Sequence, residues 1–232
     1  VYIKSDVQDE DPTEVPILLK NNKFAKSFQP LQGLFDLPHY HELDLTPFFA
    51  PFFALFFGFC LGDVGYGILI LAAVTIYKHT KAKPGMKLYL TMAQYLGGAT
   101  VLMGIIGGTV FGMSLTDFDW ATQIKSVILE REQLFNLSLG LGMLQILFGM
   151  ILKAYRLWKF RGFQFSLSTI GWIMAIVSLI VYMGGDQLGW FAASQAKGYF
   201  NGALIFSGVL IFFFSDPKLN IFARVGKGVW DA

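Results

Sequence analysis

Charge and cysteine are what this sequence has least of. Asp, Glu, Lys and Arg together make up 15% of its 232 residues, against about 25% in a soluble domain, while 54% are hydrophobic. That balance fits a membrane protein whose polar residues are confined to short loops. A single cysteine, Cys60, excludes an internal disulfide and a thiolate metal cluster. Its place in an apolar run marks it as an inert, buried thiol. The net charge is only +2 and no basic patch points to nucleic acid. There is no nucleotide-binding loop, metal-ligand cluster or nucleophile with a positioned base, so no cofactor, metal or catalytic residue is expected. A signal peptide is also missing, because the first 47 residues are polar and interrupted by prolines. The chain opens on Val1 rather than Met and is therefore expected to be a piece of a longer protein.

What is present is organised around Pro47 to Lys78, PFFAPFFALFFGFCLGDVGYGILILAAVTIYK. The run is long enough to cross a bilayer, whose core takes about 20 apolar residues. It carries one carboxylate, Asp63, and an ionised carboxylate at mid-membrane depth costs at least ~2.5 kcal/mol. Gly58, Gly62, Gly65 and Gly67 around it each weaken a helix by roughly 1 kcal/mol relative to Ala. A single crossing and a hairpin of two short helices turning at Gly62–Gly67 are both open. The hairpin accounts for more: the glycines, Asp63, and Pro47 and Pro51 at its entrance. Asp63 itself reads either as the N-cap of a helix starting near Val64 or as a polar group on an ion path.

Four further apolar blocks follow, Leu88–Phe111, Leu134–Leu152, Leu167–Met183 and Phe200–Phe214. They are too long and too poorly alternating for barrel strands, so the fold class is an all-α polytopic membrane protein. The loops set the orientation. Residues 78–87 carry Lys78, Lys81, Lys83 and Lys87, and residues 153–166 carry Lys153, Arg156, Lys159 and Arg161, with no acid in either. These loops and the tail after Ser215, with Lys218, Arg224 and Lys227, alternate with less basic loops and are expected to face the cytoplasm.

The remaining polar features read as structural. An amphipathic helix is expected near residues 15–28. His39 and His41, two apart in PHYHELDLT, lack a third ligand nearby and read as interfacial polar residues rather than metal ligands. Gly104, Gly108 and Gly112 at four-residue spacing, with Gly97, Gly98 and Gly107 nearby, predict a flat helix face for close packing or for a close approach to a pore. Later helices carry Gly140, Gly142 and Gly149, or Gly171 and Ser178. Gln94, Asn136 and Gln145 are the mid-block residues able to hydrogen-bond between helices. Trp120, Trp158, Trp172, Trp190 and Trp230 lie mostly near block ends, as membrane-interface anchors do. No internal repeat is visible.

The letters PTEVPILLKNNKF and LPHYHELDLTPFFAPFFALFFGFCLGDVGYG, with the helix after them, closely resemble the membrane half of subunit I of bacterial and archaeal V/A-type ATPases, the counterpart of eukaryotic subunit a. The resemblance covers essentially the whole chain, and its later helices match in spacing more than in letters. It implies a cytoplasmic membrane-proximal segment at residues 1–47. A transmembrane domain at 48–214 would follow, with six helices near 48–61, 64–78, 88–112, 134–153, 167–183 and 199–214, the first two forming a short hairpin. A cytoplasmic tail at 215–232 would lead to two further helices outside this sequence. In the family those two lean on the rotor and carry the arginine that blocks ion leakage, so no arginine here takes that role. Only Gly62, Asp63, Gly65, Tyr66 and Gly67 match the family signature residue by residue, as a wall of a half-channel or as a helix cap.

The implied function is part of the stator of a V0-type membrane sector, scaffolding proton translocation against the rotor ring, with no ATP site in this chain. The implied partners are the rotor ring of proteolipid subunits, the peripheral stalk, other subunits of the ATPase and the lipid bilayer. The implied location is a bacterial cell membrane, multi-pass, with the N-terminus cytoplasmic. The competing readings are a secondary transporter with a broken-helix binding site, a non-catalytic membrane assembly protein, and an intramembrane enzyme, which would need a second polar group paired with Asp63.

Overall fold

A computed structural model describes residues 19–32, 43–117, 128–188 and 193–214. His39, His41, Trp120, Trp190, Trp230 and the tail from Ser215 lie outside the described residues, as do residues 15–18 of the amphipathic helix expected at 15–28. Residues 19–22 do not join that helix, which instead runs over Lys23–Gln32. The chain divides into two compact units, Val1–Leu141 and Gly142–Ala232.

In the first unit, α1 covers Lys23–Gln32, α2 Thr46–Leu61, α3 Val64–Thr80 and α4 Lys87–Gly107. Asn22 starts α1, its side chain accepting from the Ala25 N–H at 2.7 Å. Helix α4 is the common partner. Ala50 and Ala54 of α2 cluster with Leu96 of α4, and a Cβ on Gly58 would lie 2.6 Å from the Ala99 carbonyl oxygen, so α2 runs parallel to α4. Gly67 of α3 faces Gly97 and Val101, whereas Lys78 reaches Thr91 and Gln94, so α3 runs antiparallel to it. The helices α2 and α3 therefore point in opposite directions, joined by Gly62 and Asp63. Cys60, near the end of α2, is exposed rather than buried as its apolar run predicts. Phe28 of α1, fully buried, completes this core, with its ring near Phe53 and Tyr95. Without water to supply a hydrophobic drive, small residues that let backbones approach are what hold apolar helices together.

The helix expected at 88–112 stops at Gly107. Gly108 takes a left-handed conformation with φ +63° and its N–H caps the carbonyls of Gly104 and Ile105. A small hairpin follows, β1 at Thr109–Val110 and β2 at Met113–Ser114, in register Thr109↔Ser114 and Val110↔Met113. Its two-residue turn, Phe111–Gly112, has φ of +49° and +76°, the handedness that matches the twist of paired strands. Gly108 and Gly112 are thus turn residues, and the flat face on α4 comes from Gly97 and Gly104 instead.

A second difference concerns the basic residues 153–166. Helix α5 runs unbroken over Arg131–Arg161, and α6 (Phe163–Leu188) begins after the single residue Gly162, φ +102°. Lys and Arg are good helix formers, so their appearance ends the apolar part without ending the helix. At 1.5 Å per residue α5 is about 46 Å long, more than the ~30 Å hydrocarbon core. None of its residues is buried, and among the described residues a Cβ on Gly140, Gly142 or Gly149 would meet nothing, so no described helix packs at those glycines.

In the second unit α6 pairs with α7 (Ala193–Phe213), with Gly171 against Ser207 and Leu210 and with Tyr182 stacked on Phe200 at 4.5 Å. These contacts make the pair antiparallel. The buried hydroxyls of Ser166 and Ser207 donate to carbonyls of their own helices.

Three helical stretches are long and apolar enough to cross a membrane: Pro84–Gly107, Arg131–Arg161 and Phe163–Met183. Thr46–Leu61, Val64–Thr80 and Lys197–Phe213 are shorter apolar helices. The packing of α2 on α4 sets a direct test. Gly58→Ala drives a methyl into the Ala99 carbonyl and is expected to cost about 1–3 kcal/mol. Gly98→Ala, which enters open space, is expected to be neutral or to stabilise by up to ~1 kcal/mol. Thermal unfolding of the two variants in detergent micelles checks this.

Candidate functional site

The signature residues meet at the end of unit 1 where α2, α3 and α4 and the β1–β2 hairpin converge. Helix α2 ends at Gly62, whose φ of +43° and ψ of +37° reverse the chain, with its N–H on the Gly58 carbonyl at 2.7 Å. Asp63 then begins α3 in an extended conformation and caps it, its Oδ1 accepting from the Tyr66 N–H at 3.0 Å. The same oxygen accepts from Phe111 N–H at 2.9 Å, and Oδ2 accepts from Gly112 N–H at 2.8 Å.

The carboxylate is 5% exposed, yet both of its oxygens are engaged. Two of its three donors are the adjacent N–H groups at the tip of the hairpin, 48 and 49 residues further along. The Thr109 hydroxyl adds a second tie, donating to the Gly62 carbonyl. These bonds hold Phe111 in a left-handed conformation that a side chain with a Cβ rarely adopts.

Gly65, Tyr66 and Gly67 serve the same junction in different ways. A Cβ on Gly65 would sit 2.6 Å from the Phe111 ring, so the glycine makes the seat for that ring. A Cβ on Gly67 would sit 2.7 Å from the Val101 backbone nitrogen, so the glycine lets α3 close on α4. Gly104 does the same from the α4 side, where a Cβ would come within 2.6 Å of the Asp63 carbonyl carbon. Tyr66 contributes its N–H to Asp63, while its ring is half exposed and meets Phe111 edge-on at 5.5 Å. The structure brings all five signature residues together.

Two polar clusters escape a sequence reading. At the other end of α3 and α4, the Lys78 ammonium donates to Thr91 Oγ1 at 2.8 Å and to Gln94 Oε1 at 2.7 Å, and Gln94 Nε2 donates to Thr75 Oγ1 at 2.8 Å. Of the three mid-block polar residues noted in the sequence, Gln94 bonds between helices, whereas Asn136 and Gln145 are exposed on α5. In front of α2, Asp44 gathers the Asn21 amide at 2.6 Å, the Thr46 N–H at 2.9 Å and the Thr46 hydroxyl at 2.6 Å, with the Gln32 amide more distant at 3.4 Å. It thereby ties both ends of α1 to the start of α2. A signal existed for the first, since Thr75, Lys78, Thr91 and Gln94 share a face across two helices, but only the pairing of α3 with α4 reveals it. Among the described residues, no group of three His, Cys, Asp or Glu is placed to hold a metal.

Burial acts to raise the Asp44 carboxyl, but the bonds from Thr46, Asn21 and Gln32 outweigh it and hold the group below its usual value of 3.8. A depressed carboxyl stabilises the fold above that usual value, and the contribution fades as pH falls through the lower folded-state value. Acidification below about pH 4 is therefore expected to weaken the hold of α1 on the start of α2, leaving the Phe28 packing in place. Fluorescence of a probe on α1 should show an acid transition that Asp44→Asn removes.

No family model matches the chain. Among curated proteins it is 30% identical over 192 residues to the A-type ATP synthase subunit I of Methanothermobacter thermautotrophicus, a match covering 79% of this chain and 29% of that protein. It is 27% identical over 194 residues to the A-type ATP synthase subunit I of Pyrococcus horikoshii, covering 80% and 29% respectively. It is 30% identical over 185 residues to the V-type ATP synthase subunit I of Borreliella burgdorferi, covering 74% and 30%. The resemblance to subunit I of V/A-type ATP synthases is thus borne out, and the chain spans under a third of the length of the curated relatives it matches.

Proposed function

We propose that this chain is part of the stator in the membrane sector of a rotary V/A-type ATP synthase, a non-catalytic scaffold that steadies proton translocation against a ring of proteolipid subunits. Its relatives bear the name subunit I, which supports placement in such a complex. The observation that carries the scaffold role is the engagement of Asp63. The one carboxylate in the apolar run accepts three backbone N–H bonds and joins two distant parts of the chain. A group used this way holds geometry; a proton relay needs a side chain free to exchange partners.

In this reading α2 and α3 are two short crossings, and with α7 they bring the spans to six. Shortness is tolerable where neighbouring helices shelter the backbone or the bilayer thins locally. The lysines of residues 78–87 face the cytoplasm, as the bias of basic loops suggests. The Asp63 junction, at the opposite end of α3 and α4, then lies toward the outer face. The N-terminal segment and the basic end of α5 lie on the cytoplasmic side, where a peripheral stalk would attach. Among the described residues no second carboxylate or cation accompanies Asp63, which disfavours the transporter and intramembrane enzyme readings.

Asp63→Asn in the complete ATP synthase separates these roles. An amide can accept at one oxygen only, so one of the two hairpin N–H groups, which bond different oxygens, loses its acceptor. The expected outcome is a lower yield of assembled complex, with ion transport per assembled complex retained. Normal assembly with transport abolished would make Asp63 part of the ion path.

A further inference from the structure

From Val64 to Thr116 the sequence holds no Asp or Glu, yet it carries Lys78, Lys81, Lys83 and Lys87 around one turn between α3 and α4. Lys81, Lys83 and Lys87 are exposed, and no carboxylate among the described residues pairs with any of the four. Lys78 differs from the others. A lysine near the end of an apolar helix ordinarily extends its stem so that the ammonium reaches water. Lys78 instead turns back along the bundle, half-buried, to two neutral acceptors on α4, Thr91 and Gln94. Gln94 lies seven residues into α4, about 10 Å from its first residue. Its orientation is fixed by its own bond to Thr75. The ammonium has three N–H donors, and these contacts use two.

A pinned cation one to two turns inside an apolar helix pair, with no carboxylate beside it, needs an anion from elsewhere. The exposed rings of Tyr77 and Tyr89 flank the same turn, as aromatic residues do at the headgroup level of a bilayer. We propose that the α3–α4 turn is a binding site for the phosphate of an anionic phospholipid. Lys78 is the fixed contact and Lys81, Lys83 and Lys87 are the flexible ones. The proposal rests on the chain being a membrane protein and not on its place in a rotary ATP synthase. The lipid is preferred to a free anion as the source because a phosphodiester headgroup is delivered at this depth by its own acyl chains. Basic clusters at a membrane surface gain about fivefold in anionic-lipid affinity per lysine.

The test uses the full chain in nanodiscs of phosphatidylcholine, with or without phosphatidylglycerol, and native mass spectrometry to count retained lipids. The wild type is expected to keep phosphatidylglycerol in preference to phosphatidylcholine. Lys78→Gln should lower that preference about fivefold, whereas Lys197→Gln, at a lone exposed lysine on α7, should leave it unchanged. Because Lys78→Gln alters a helix contact and could impair folding, a Lys81→Gln/Lys83→Gln/Lys87→Gln variant, altered only at exposed positions, is measured beside it and should also weaken retention. Equal retention of the two lipids by the wild type would overturn the proposal. So would undiminished preference in the triple variant, or displacement of the lipid by inorganic phosphate at matched ionic strength, which would assign the site to a soluble anion.

Discussion

The unit formed by α1 to α4 depends on one buried carboxylate meeting three backbone N–H groups. Asp63 caps the first turn of α3 and at the same time closes over the hairpin tip at Phe111 and Gly112. Each of those groups would be costly to bury alone, since an unpaired buried N–H forfeits about 1–3 kcal/mol and a carboxylate more. Together they satisfy one another, and the result is a crosslink between segments nearly fifty residues apart. The close glycine contacts of α2 and α3 with α4 make this geometry possible, because a Cβ at Gly104 would strike the Asp63 backbone itself.

The opposite end of the same helices is held differently. There Lys78, Thr91, Gln94 and Thr75 form a chain of side-chain bonds between α3 and α4. Asp44 fastens α1 to the start of α2. Both ends of the three-helix core are therefore pinned by polar contacts, with small residues and apolar side chains between them. An apolar environment gives helices little reason to associate by hydrophobicity alone, so such contacts and close backbone packing carry the specificity. The α6–α7 pair follows the same rule at Gly171 and Ser207.

Much of this was legible in the letters. The helical nature of the apolar blocks, the chain reversal within GDVGYG and the capping option at Asp63 follow from hydropathy, glycine and the short polar side chain. The hairpin after α4 was hidden because TVFGMS is as apolar as the helix before it; only the left-handed backbone at Gly108, Phe111 and Gly112 separates the two. The continuation of α5 to Arg161 was hidden for a related reason. Polarity reports the edge of a membrane, whereas helix ends are set by caps and by residues such as Gly162. The partners of Asp63 could not be read at all, since they are main-chain groups whose position depends on the turn. The same holds for Lys78, which reads as one more loop lysine until α3 and α4 are placed side by side.

The most direct measurement is amide hydrogen exchange at Phe111 and Gly112 in the full chain, followed by magnetic resonance in a membrane mimetic. The account predicts slow exchange at both amides, lost in Asp63→Ala, which removes both acceptor oxygens, while protection in the middle of α4 at Leu96 and Thr100 persists. Fast exchange at Phe111 and Gly112 in the wild type, or protection that survives the substitution, would contradict it and leave Asp63 free for some other task.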